Sequence, residues 1–324
     1  MKFSNVVSLI TFAFLTSAAP VVYVTNTSFV DQNGTALDGQ STPHIVVGTS
    51  DVEKSSLSLS RRSGSGSFQE GTIACSQFPS VDHVVSTDWL GLGGWTSIVN
   101  EYHESSSECK DGFHCSYTCE PGYARSQWPS DGGSLGGLYC KNGHLYKSNT
   151  NSDSLCTKGT GGAFLKSELS DNVAICMSEG QGFIPTNLEG GATSDIFVPD
   201  ESYYKVPDQP APASFYYINN AGVSVKDACV SSDGNSAPLM IGTGHLMSSR
   251  GQMVPYVSMR TNPLSSKKTA NFKVAIEAPA GGQISGNCTY ENGEVRDDIG
   301  KIPGDDGICT VNVLSGFAVI RFYN

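Results

Sequence analysis

Positive charge is scarce in this chain, and long hydrophobic runs are missing beyond its N-terminus. The 324 residues contain 20 Lys and Arg against 31 Asp and Glu, which gives a net charge of −11. An acidic surface of this kind repels phosphate backbones, so nucleic acid is not an expected partner. No stretch after residue 20 approaches the roughly 20 apolar residues that a membrane-spanning helix needs, so no membrane span is predicted.

Several well-known catalytic and ligand-binding motifs are also missing. The sequence contains no Gly-x-Ser-x-Gly elbow, no phosphate-binding loop and no His-Glu-x-x-His helix, and its six histidines are scattered. The sequence Gly242-Thr243-Gly244-His245 follows no strand-to-helix pattern and is interpreted as a turn. No cofactor and no metal ion are predicted.

The N-terminus has the layout of a secretory signal peptide. Lys2 precedes an apolar stretch at residues 6–15 and the small residues 16–19, which predicts a signal at 1–18. Residues 19–66 lack cysteine and are rich in Ser, Thr and Gly, so they are interpreted as a pro-segment or linker. This segment contains the dibasic pair Arg61-Arg62, an exposed site that a protease could cleave. A cysteine-rich domain then spans 67–324.

All ten cysteines lie in that domain, and an even number in a secreted chain predicts up to five disulfides. The sequence does not pair them. The alternative is a zinc site built from Cys109, His114, Cys115 and Cys119, which an oxidising compartment disfavours. The predicted half-cystines are Cys75, Cys109, Cys115, Cys119, Cys140, Cys156, Cys176, Cys229, Cys288 and Cys309.

The composition predicts a mainly β fold. The 36 glycines and the low charged fraction of 16% are typical of many turns and short strands, with few helices. Residues 272–277 alternate apolar and polar side chains, 311–313 and 317–322 form two closing strands joined at 315–316, and 215–218 precede a turn at 219–222. These features favour an antiparallel β-sandwich with disulfide-rich loops, analogous to the thaumatin-like fold.

The most specific local pattern is Cys109-x5-Cys115-x3-Cys119, followed by Glu120-Pro121-Gly122-Tyr123 and Gln127-Trp128-Pro129. With Gly136-Gly137-Leu138-Tyr139-Cys140, this pattern resembles the fungal SUN family of secreted cell-wall proteins. Here 20 residues separate Cys119 from Cys140, where the family signature has 24. The resemblance continues through 161–164, 170–176, 216–229 and 286–293. The short N-terminal segment indicates a shorter branch of the family.

The resemblance implies a secreted glycosidase of the β-glucosidase type that acts on β-1,3-glucan in the fungal cell wall. Its expected roles are wall remodelling and cell separation, with wall β-glucan as the partner. The alternative is a non-catalytic β-glucan-binding wall protein. A third possibility, a secreted inhibitor or effector, has no supporting motif.

Glycoside hydrolysis needs two carboxyl groups about 5–9.5 Å apart. The first candidate is Asp227, which lies beside Cys229 in the longest family-like stretch. Glu277 follows at the end of a predicted strand, and Asp195 is the third, in an acidic group with Asp200 and Glu201. A solvated surface carboxylate is the alternative for each of them.

Sugars stack on flat aromatic faces, so aromatic residues are the candidates for substrate binding. For Trp128 the alternative is packing against disulfides, and Trp89 and Trp95 are expected to lie in the core. The proposed substrate-binding residues are Trp128, Tyr123, Tyr139, Tyr203 and Tyr204. Sequons predict N-glycosylation at Asn26, Asn33 and Asn287.

Overall fold

The chain folds mainly into short β-strands. The computed structural model describes residues 66–129, 135–180, 182–200, 202–203, 212–230, 236–248, 251–266, 269–302 and 307–324. The predicted signal, residues 19–65 of the predicted linker, Asn26, Asn33, Glu201 and Tyr204 lie outside these residues. Within them, helix is limited to a 3-10 turn at Asp88–Leu90 and to α1 at Val225–Ala228. No helix in this part of the chain is long and apolar enough to cross a membrane.

The first part of the cysteine-rich domain, up to Lys158, is called the cysteine-rich part, and its strands are short. They are β1 Val84–Val85, β2 Ser97–Asn100, β3 Phe113–Ser116, β4 Thr118–Cys119, β5 Tyr123–Arg125, β6 Leu138–Lys141, β7 His144–Lys147 and β8 Cys156–Lys158. They pair as a four-stranded sheet in the order β2-β3-β6-β7 and as the two-stranded pairs β1-β4 and β5-β8.

Longer strands follow in the second part. They are β9 Ala163–Ser167, β10 Val173–Glu179, β11 Gly182–Leu188, β12 Thr193–Asp195, β13 Ala213–Ala221, β14 Leu239–Met247, β15 Met253–Thr261, β16 Lys273–Glu277, β17 Gln283–Ile284, β18 Cys288–Glu291, β19 Glu294–Asp297, β20 Gly300–Lys301, β21 Cys309–Ser315 and β22 Ala318–Tyr323.

These later strands form two seven-stranded sheets. The first sheet has the order β11-β10-β13-β14-β15-β21-β17, and the second has the order β12-β9-β22-β16-β18-β19-β20. Every pairing is antiparallel except that of β9 with β22, which is parallel. The mainly β, antiparallel class predicted from the sequence is therefore confirmed, with one parallel pair added. The sandwich arrangement and the thaumatin-like analogy stay predictions.

One hydrophobic cluster connects the two sheets with the cysteine-rich part. Ile175 and Ile241 reach it from the first sheet, Leu165 and Ile320 from the second, and Leu138 from the four-stranded sheet. Each of these side chains is almost fully excluded from water. Burial of an aliphatic side chain of this size contributes about 1.5–3 kcal/mol, so this cluster is a principal source of stability.

Five disulfides use all ten cysteines, as the even cysteine count predicts. The bonds are Cys75–Cys140, Cys109–Cys115, Cys119–Cys156, Cys176–Cys229 and Cys288–Cys309. The alternative zinc site is wrong, because all three of its cysteines are oxidised and bonded in two different bridges. The Sγ atoms of Cys75, Cys109 and Cys140 lie within 4.8 Å of one another because two disulfides are neighbours.

The predicted strands are present, but two predicted turns are wrong. The 219–222 turn starts only at Gly222, because β13 continues to Ala221 and Asn219 is buried against the Ala174 carbonyl at 3.3 Å. Residues 242–245 lie inside β14. A Cβ at Gly242 would lie 2.5 Å from Ser258 Oγ, so these glycines permit close strand neighbours and do not mark a turn.

The two closing strands lie in different sheets. Residues 315–316 do connect them, and Gly316 has a φ of 70° that favours glycine. However, β21 pairs with β15 in the first sheet, whereas β22 pairs with β16 and β9 in the second. The connection therefore joins the two sheets and does not close a hairpin.

Candidate functional site

A cleft of about 520 Å³ opens where the cysteine-rich part meets the segment that follows β12. Its volume falls in the range of small-molecule sites, about 300–1,000 Å³. Besides Phe197, two aromatic side chains with polar atoms, one carboxylate, one ammonium and two amides contribute to its lining. They belong to Trp128, Tyr203, Asp200, Lys158, Asn149 and Asn151.

Trp128 and Tyr203 are anchored to one backbone atom at the cleft. Trp128 Nε1 donates a hydrogen bond to the carbonyl oxygen of Arg125 at 2.7 Å, and Tyr203 Oη lies 3.0 Å from the same oxygen. Trp128 Nε1 is also 3.3 Å from Tyr203 Oη. These contacts fix the orientation of both rings at the cleft. Trp128 is only 6% exposed, so most of its ring surface is covered by the protein.

A buried ion pair lies beneath these aromatic rings. Arg125 is fully buried, and its guanidinium stands 5.1 Å from the Trp128 ring and 5.5 Å from the Tyr117 ring. Its Nε and Nη2 donate to the Tyr117 carbonyl oxygen at 3.1 and 2.9 Å. Glu179 Oε2 lies 3.5 Å from Arg125 Nη2. The charge of the arginine is thus compensated by one carboxylate, two aromatic faces and a carbonyl.

Glu179 connects this ion pair to the cleft. Its Oε1 accepts a hydrogen bond from the Arg125 backbone N–H at 2.7 Å and lies 3.0 Å from Tyr203 Oη. Its Oε2 is buried and has no hydrogen-bond donor in the described structure. Burial raises the pKa of the Glu179 carboxyl, an effect that the nearby Arg125 charge opposes. Burial also raises the pKa of Tyr203 well above its ordinary value.

Asp200 lies at the exposed edge of the cleft in a contrasting environment. Its Oδ1 accepts hydrogen bonds from the Ser202 hydroxyl at 2.5 Å and from the backbone N–H groups of Ser202 and Tyr203 at 2.7 and 3.0 Å. The Ser202 hydroxyl bond, followed by these backbone bonds, lowers the pKa of the Asp200 carboxyl against a smaller opposing effect of burial. Asp200 is therefore ionised at mildly acidic pH.

Of the three predicted catalytic carboxylates, Asp227 is part of a helix cap. It lies on α1, where its backbone N–H donates to Ser224 Oγ at 3.2 Å. The Ser224 hydroxyl in turn donates to Asp227 Oδ2 at 2.7 Å. The Ser224 hydroxyl thus caps the start of α1 and is itself held by the Asp227 carboxylate, which accounts for the side chain without a catalytic role.

Asp195 and Glu277 lie on the second sheet, away from the residues that line the cleft. Glu277 receives two hydrogen bonds from Arg321 Nε at 3.1 Å and one from Nη2 at 2.7 Å. The same arginine donates from Nη1 to Glu168 at 3.1 Å. Glu168 and Glu277 thus contact different nitrogens of one guanidinium and form the one described carboxylate pair among these contacts.

The electrostatics of the Glu168 and Glu277 pair do not suit a proton donor. Hydrogen bonds from Lys166 and then Arg321 lower the pKa of the Glu168 carboxyl. A general acid needs a raised pKa, which burial away from cations provides. We therefore interpret this exposed cluster, which joins β9, β16 and β22, as a stabilising charge network.

Glu277 also borders a second, open groove of about 730 Å³. The groove includes Gln283, Ser285 and Asn287. The side-chain amide of Asn287 donates to Asp298 Oδ1 at 2.7 Å, and Asn287 is exposed. Glycosylation at Asn287 stays a prediction, since exposure permits it without testing it.

The other predicted sugar-binding aromatics lie in separate places. Tyr123 stacks on His83 with ring centroids 3.9 Å apart, and His83 Nδ1 lies 3.0 Å from Glu120 Oε2. Tyr139 contacts His114 at 4.9 Å. Neither tyrosine lines the cleft, so among the described candidates the structure brings together only Trp128 and Tyr203. The expected core position is confirmed for Trp95, which is buried against Phe78, whereas Trp89 in the 3-10 turn is only half-buried.

Sequence reasoning missed the buried pair beneath the cleft. Arg125 and Glu179 are 54 positions apart, and no local pattern joins them. A signal was nonetheless present, because Glu179 ends the largely apolar stretch that becomes β10. A carboxylate at the end of a buried strand needs a partner, which is a reason to search for a buried cation.

Comparison with known proteins identifies the family. The family profile described as Beta-glucosidase (SUN family) matches residues 70–311. Beta-glucosidase-like protein NCA3, mitochondrial, of Saccharomyces cerevisiae is 46% identical over 271 residues, which cover 80% of this chain and 77% of that protein. No solved structure is significantly similar to this chain.

Two further relatives carry a location in their names. Probable secreted beta-glucosidase UTH1 of Saccharomyces cerevisiae is 44% identical over 274 residues, covering 80% of this chain and 72% of its own length. Secreted beta-glucosidase SIM1 of Candida albicans is 41% identical over 276 residues, covering 81% and 70%. These names confirm the secreted location predicted from the sequence. This chain belongs to the SUN family of secreted, β-glucosidase-like proteins.

Proposed function

We propose that this protein hydrolyses β-1,3-linked glucan of the fungal cell wall, in wall remodelling and cell separation, and that the cleft at Trp128 is its sugar-binding site. The β-glucosidase names of its relatives support a glycosidase. The preference for β-1,3-glucan and the wall role come from the resemblance of the cysteine signature to the family.

The observation that carries this proposal is the joining of Trp128, Tyr203 and Asp200 in one cleft. The half-buried ring of Tyr203 offers apolar surface that packs against the carbon face of a pyranose, and the buried Trp128 supports it from behind. The amides of Asn149 and Asn151 lie beside them and can hydrogen-bond sugar hydroxyls. A neutral polysaccharide also tolerates the acidic character of the whole chain, because it carries no charge to be repelled.

Asp200 is the carboxylate that we assign to the chemistry. Its lowered pKa keeps it ionised, as a nucleophile or a base in glycoside hydrolysis must be. Glu179 has the raised pKa of a general acid, but it reaches the cleft only through the Tyr203 hydroxyl. Asp227, Glu277 and Asp195 stay predictions from the sequence, and their surroundings favour stabilising roles.

One observation favours a second function, non-catalytic binding of β-glucan. Of the described residues that line the cleft, Asp200 alone carries a carboxyl group. A hydrolase needs two such groups, whereas a binding protein needs only the aromatic rings and the amides. The same cleft can therefore serve either function, and an activity measurement must decide between them.

The test measures both turnover and binding with the purified full chain. Reducing sugar released from laminarin is followed between pH 4 and 6, and retention on insoluble β-1,3-glucan is measured in parallel. We expect Asp200→Asn to lower turnover by about 10²–10⁴-fold. Trp128→Ala should weaken retention. Asp171→Asn is the matched control. Asp171 is exposed and lies just before the start of β10, whereas Glu179 lies at the other end of that strand.

Three outcomes separate the functions. Turnover by the wild type that is lost in Asp200→Asn and kept in Asp171→Asn supports the hydrolase. Retention without turnover overturns the hydrolase and supports the binding protein. The absence of both retention and turnover overturns the assignment of β-1,3-glucan to this cleft.

A further inference from the structure

We infer that Glu179, which lies outside the cleft, is a positioning residue that holds Tyr203 and, through it, Trp128, and so sets the affinity of the cleft for β-glucan. This inference rests on the proposed function of the cleft. It adds a residue from the first sheet to a site whose lining comes from other segments.

The first step is that both aromatic rings have their polar atoms engaged at one place. An indole has a single donor and a phenol has a single hydroxyl. Trp128 Nε1 and Tyr203 Oη both contact the Arg125 carbonyl oxygen, at 2.7 and 3.0 Å. Rotation of either ring would break its contact inside a buried region, so neither ring turns freely.

The second step is that the contact with this carbonyl alone does not fix the position of the Tyr203 hydroxyl. The Arg125 oxygen has two lone pairs, and Trp128 Nε1 makes the shorter contact with it. Glu179 Oε1, at 3.0 Å from Tyr203 Oη, supplies a second fixed partner on another element. Two partners on different elements define the position of the hydroxyl, and the Tyr203 ring follows from it.

The third step is that Glu179 is itself held firmly. Its Oε1 accepts the Arg125 backbone N–H at 2.7 Å, and Arg125 is fixed by the Tyr117 carbonyl and by Ser116 Oγ at 3.3 Å. The carboxylate belongs to β10 of the first sheet, whereas Arg125 belongs to β5. Glu179 therefore joins the first sheet to the cleft.

The functional consequence is preorganisation. Each immobilised side chain costs about 0.5–1.5 kcal/mol when it is ordered on binding, and a ring that is already fixed avoids this cost. If Glu179 were absent, Tyr203 and the neighbouring Trp128 would have to be ordered by the sugar. Binding would weaken although no atom that touches the sugar had changed.

The test compares Glu179→Gln with Glu179→Leu, using laminarihexaose as the ligand and isothermal titration calorimetry for Kd. Both variants leave the Arg125 charge unpaired, so they share that cost. Only Gln keeps an acceptor for Tyr203 Oη and the Arg125 N–H. We expect Kd to rise about tenfold in Glu179→Leu and to stay within about threefold in Glu179→Gln, the difference that one hydrogen bond provides.

Folding is controlled in two ways. Ile320→Ala removes buried side-chain volume in the second sheet, so it should lower the unfolding temperature and leave Kd unchanged. Tyr203→Phe removes the contact with Glu179, together with those to the Arg125 carbonyl and Trp128, without touching the ion pair, and it replaces Glu179→Leu if that variant does not fold. We expect its Kd to rise about tenfold.

The outcomes distinguish this inference from the proposed function. If the wild type binds laminarihexaose and both Glu179→Leu and Tyr203→Phe keep its Kd, the positioning role is overturned while the proposed site stands. If Glu179→Gln loses as much affinity as Glu179→Leu, the charge and not the acceptor matters, and the inference is equally overturned. If the wild type binds no laminarihexaose, the proposed function itself fails.

Discussion

Asp195 and Glu277 lie in one row of the second sheet and share one of its faces. The register runs from Asp195 to Phe164, then to Val319 and then to Glu277. Three strand spacings therefore separate their Cα atoms, about 14 Å. This exceeds the separation of about 5–9.5 Å that paired hydrolase carboxyls require. These two candidate carboxylates therefore do not form a catalytic pair with each other.

We expect Asp195→Asn and Glu277→Gln each to keep at least half of the wild-type release of reducing sugar from laminarin. Glu277→Gln should lower the unfolding temperature by a few degrees, because it weakens the contacts with Arg321. A hundredfold loss of turnover in either variant, with normal folding, would return that carboxylate to the catalytic role.

Asp227→Asn should also keep full activity. Its carboxylate accepts from Ser224 at the start of α1, so the change should lower stability by about 0.5–1 kcal/mol. Urea unfolding measures the loss, and Ser224→Ala should give a similar one because it removes the other half of the cap. An Asp227→Asn variant that is stable but inactive would contradict the capping role.

Glu179 should give stability a distinctive dependence on pH. Burial places its folded-state pKa above the ordinary value near 4.5, so the folded protein binds more protons than the unfolded chain between these two values. Stability therefore falls as the pH rises through that window. The buried tyrosines Tyr117, Tyr203 and Tyr216 have raised pKa values and stay neutral there.

The measurement is the urea midpoint of the wild type and of Glu179→Gln between pH 4 and 8. Relative to the variant, the wild type should lose stability as the pH rises. Asp200 and Glu168 have lowered pKa values, and their contribution is the same in both proteins, so the comparison cancels it. Parallel curves for the two proteins would show that Glu179 does not titrate with a raised pKa.

Two disulfides of similar loop length should differ in their effect on the cleft. Cys119–Cys156 closes 37 residues beside Thr157 and Lys158 of the cleft, and Cys176–Cys229 closes 53 residues at α1. Replacing either pair with Ala should lower the free energy of unfolding by about 4 kcal/mol. Only the loss of Cys119–Cys156 should also weaken glucan retention, and equal retention in both folded variants would contradict this.

Gly122 allows the backbone to pass close to Asp195. It has a φ of +80°, and an added Cβ would lie 2.5 Å from Asp195 Cβ. Gly112 is the matched control, because its φ is +84° and nothing lies within 4 Å of the added atom. Gly112→Ala should cost about 1–2 kcal/mol for the backbone conformation alone.

Gly122→Ala should cost a further 1–3 kcal/mol, roughly, from the steric overlap. Thermal unfolding compares the two variants. Combining Gly122→Ala with Asp195→Gly should recover that additional loss, because it removes the opposing Cβ. Equal unfolding temperatures for Gly112→Ala and Gly122→Ala would show that the backbone segments at Gly122 and Asp195 move apart without loss of stability.

Local pattern was sufficient for much of the secondary structure. The strand at residues 272–277 follows from alternating side chains, and the cysteine count predicts five disulfides. Pattern failed where long-range packing decided the conformation. The turn-like residues 242–245 remain in a strand, because the glycines among them leave room for the side chains of Ser258 and Tyr256. Asn219 stays in β13 because a buried carbonyl satisfies its amide.

The candidate site was predictable by residue type more than by position. Aromatic chemistry pointed to Trp128 and Tyr203, and both line the cleft. The same reasoning gave Tyr123 and Tyr139, which lie elsewhere, because a sequence does not show which aromatic rings share a surface. Carboxylates were the hardest to rank, since common surface roles such as caps and ion pairs use the same side chains.

By itself the sequence determined the mainly β class, the oxidised cysteines, the family resemblance and the secreted location. Composition, the cysteine count and short motifs give these without knowledge of which distant residues are in contact. Tertiary structure alone decided the disulfide pairing, the placement of β21 and β22 in different sheets, and the union of Arg125 with Glu179 beneath Trp128. Those relationships join residues tens of positions apart. They exist only once burial has selected which charges and rings are packed together.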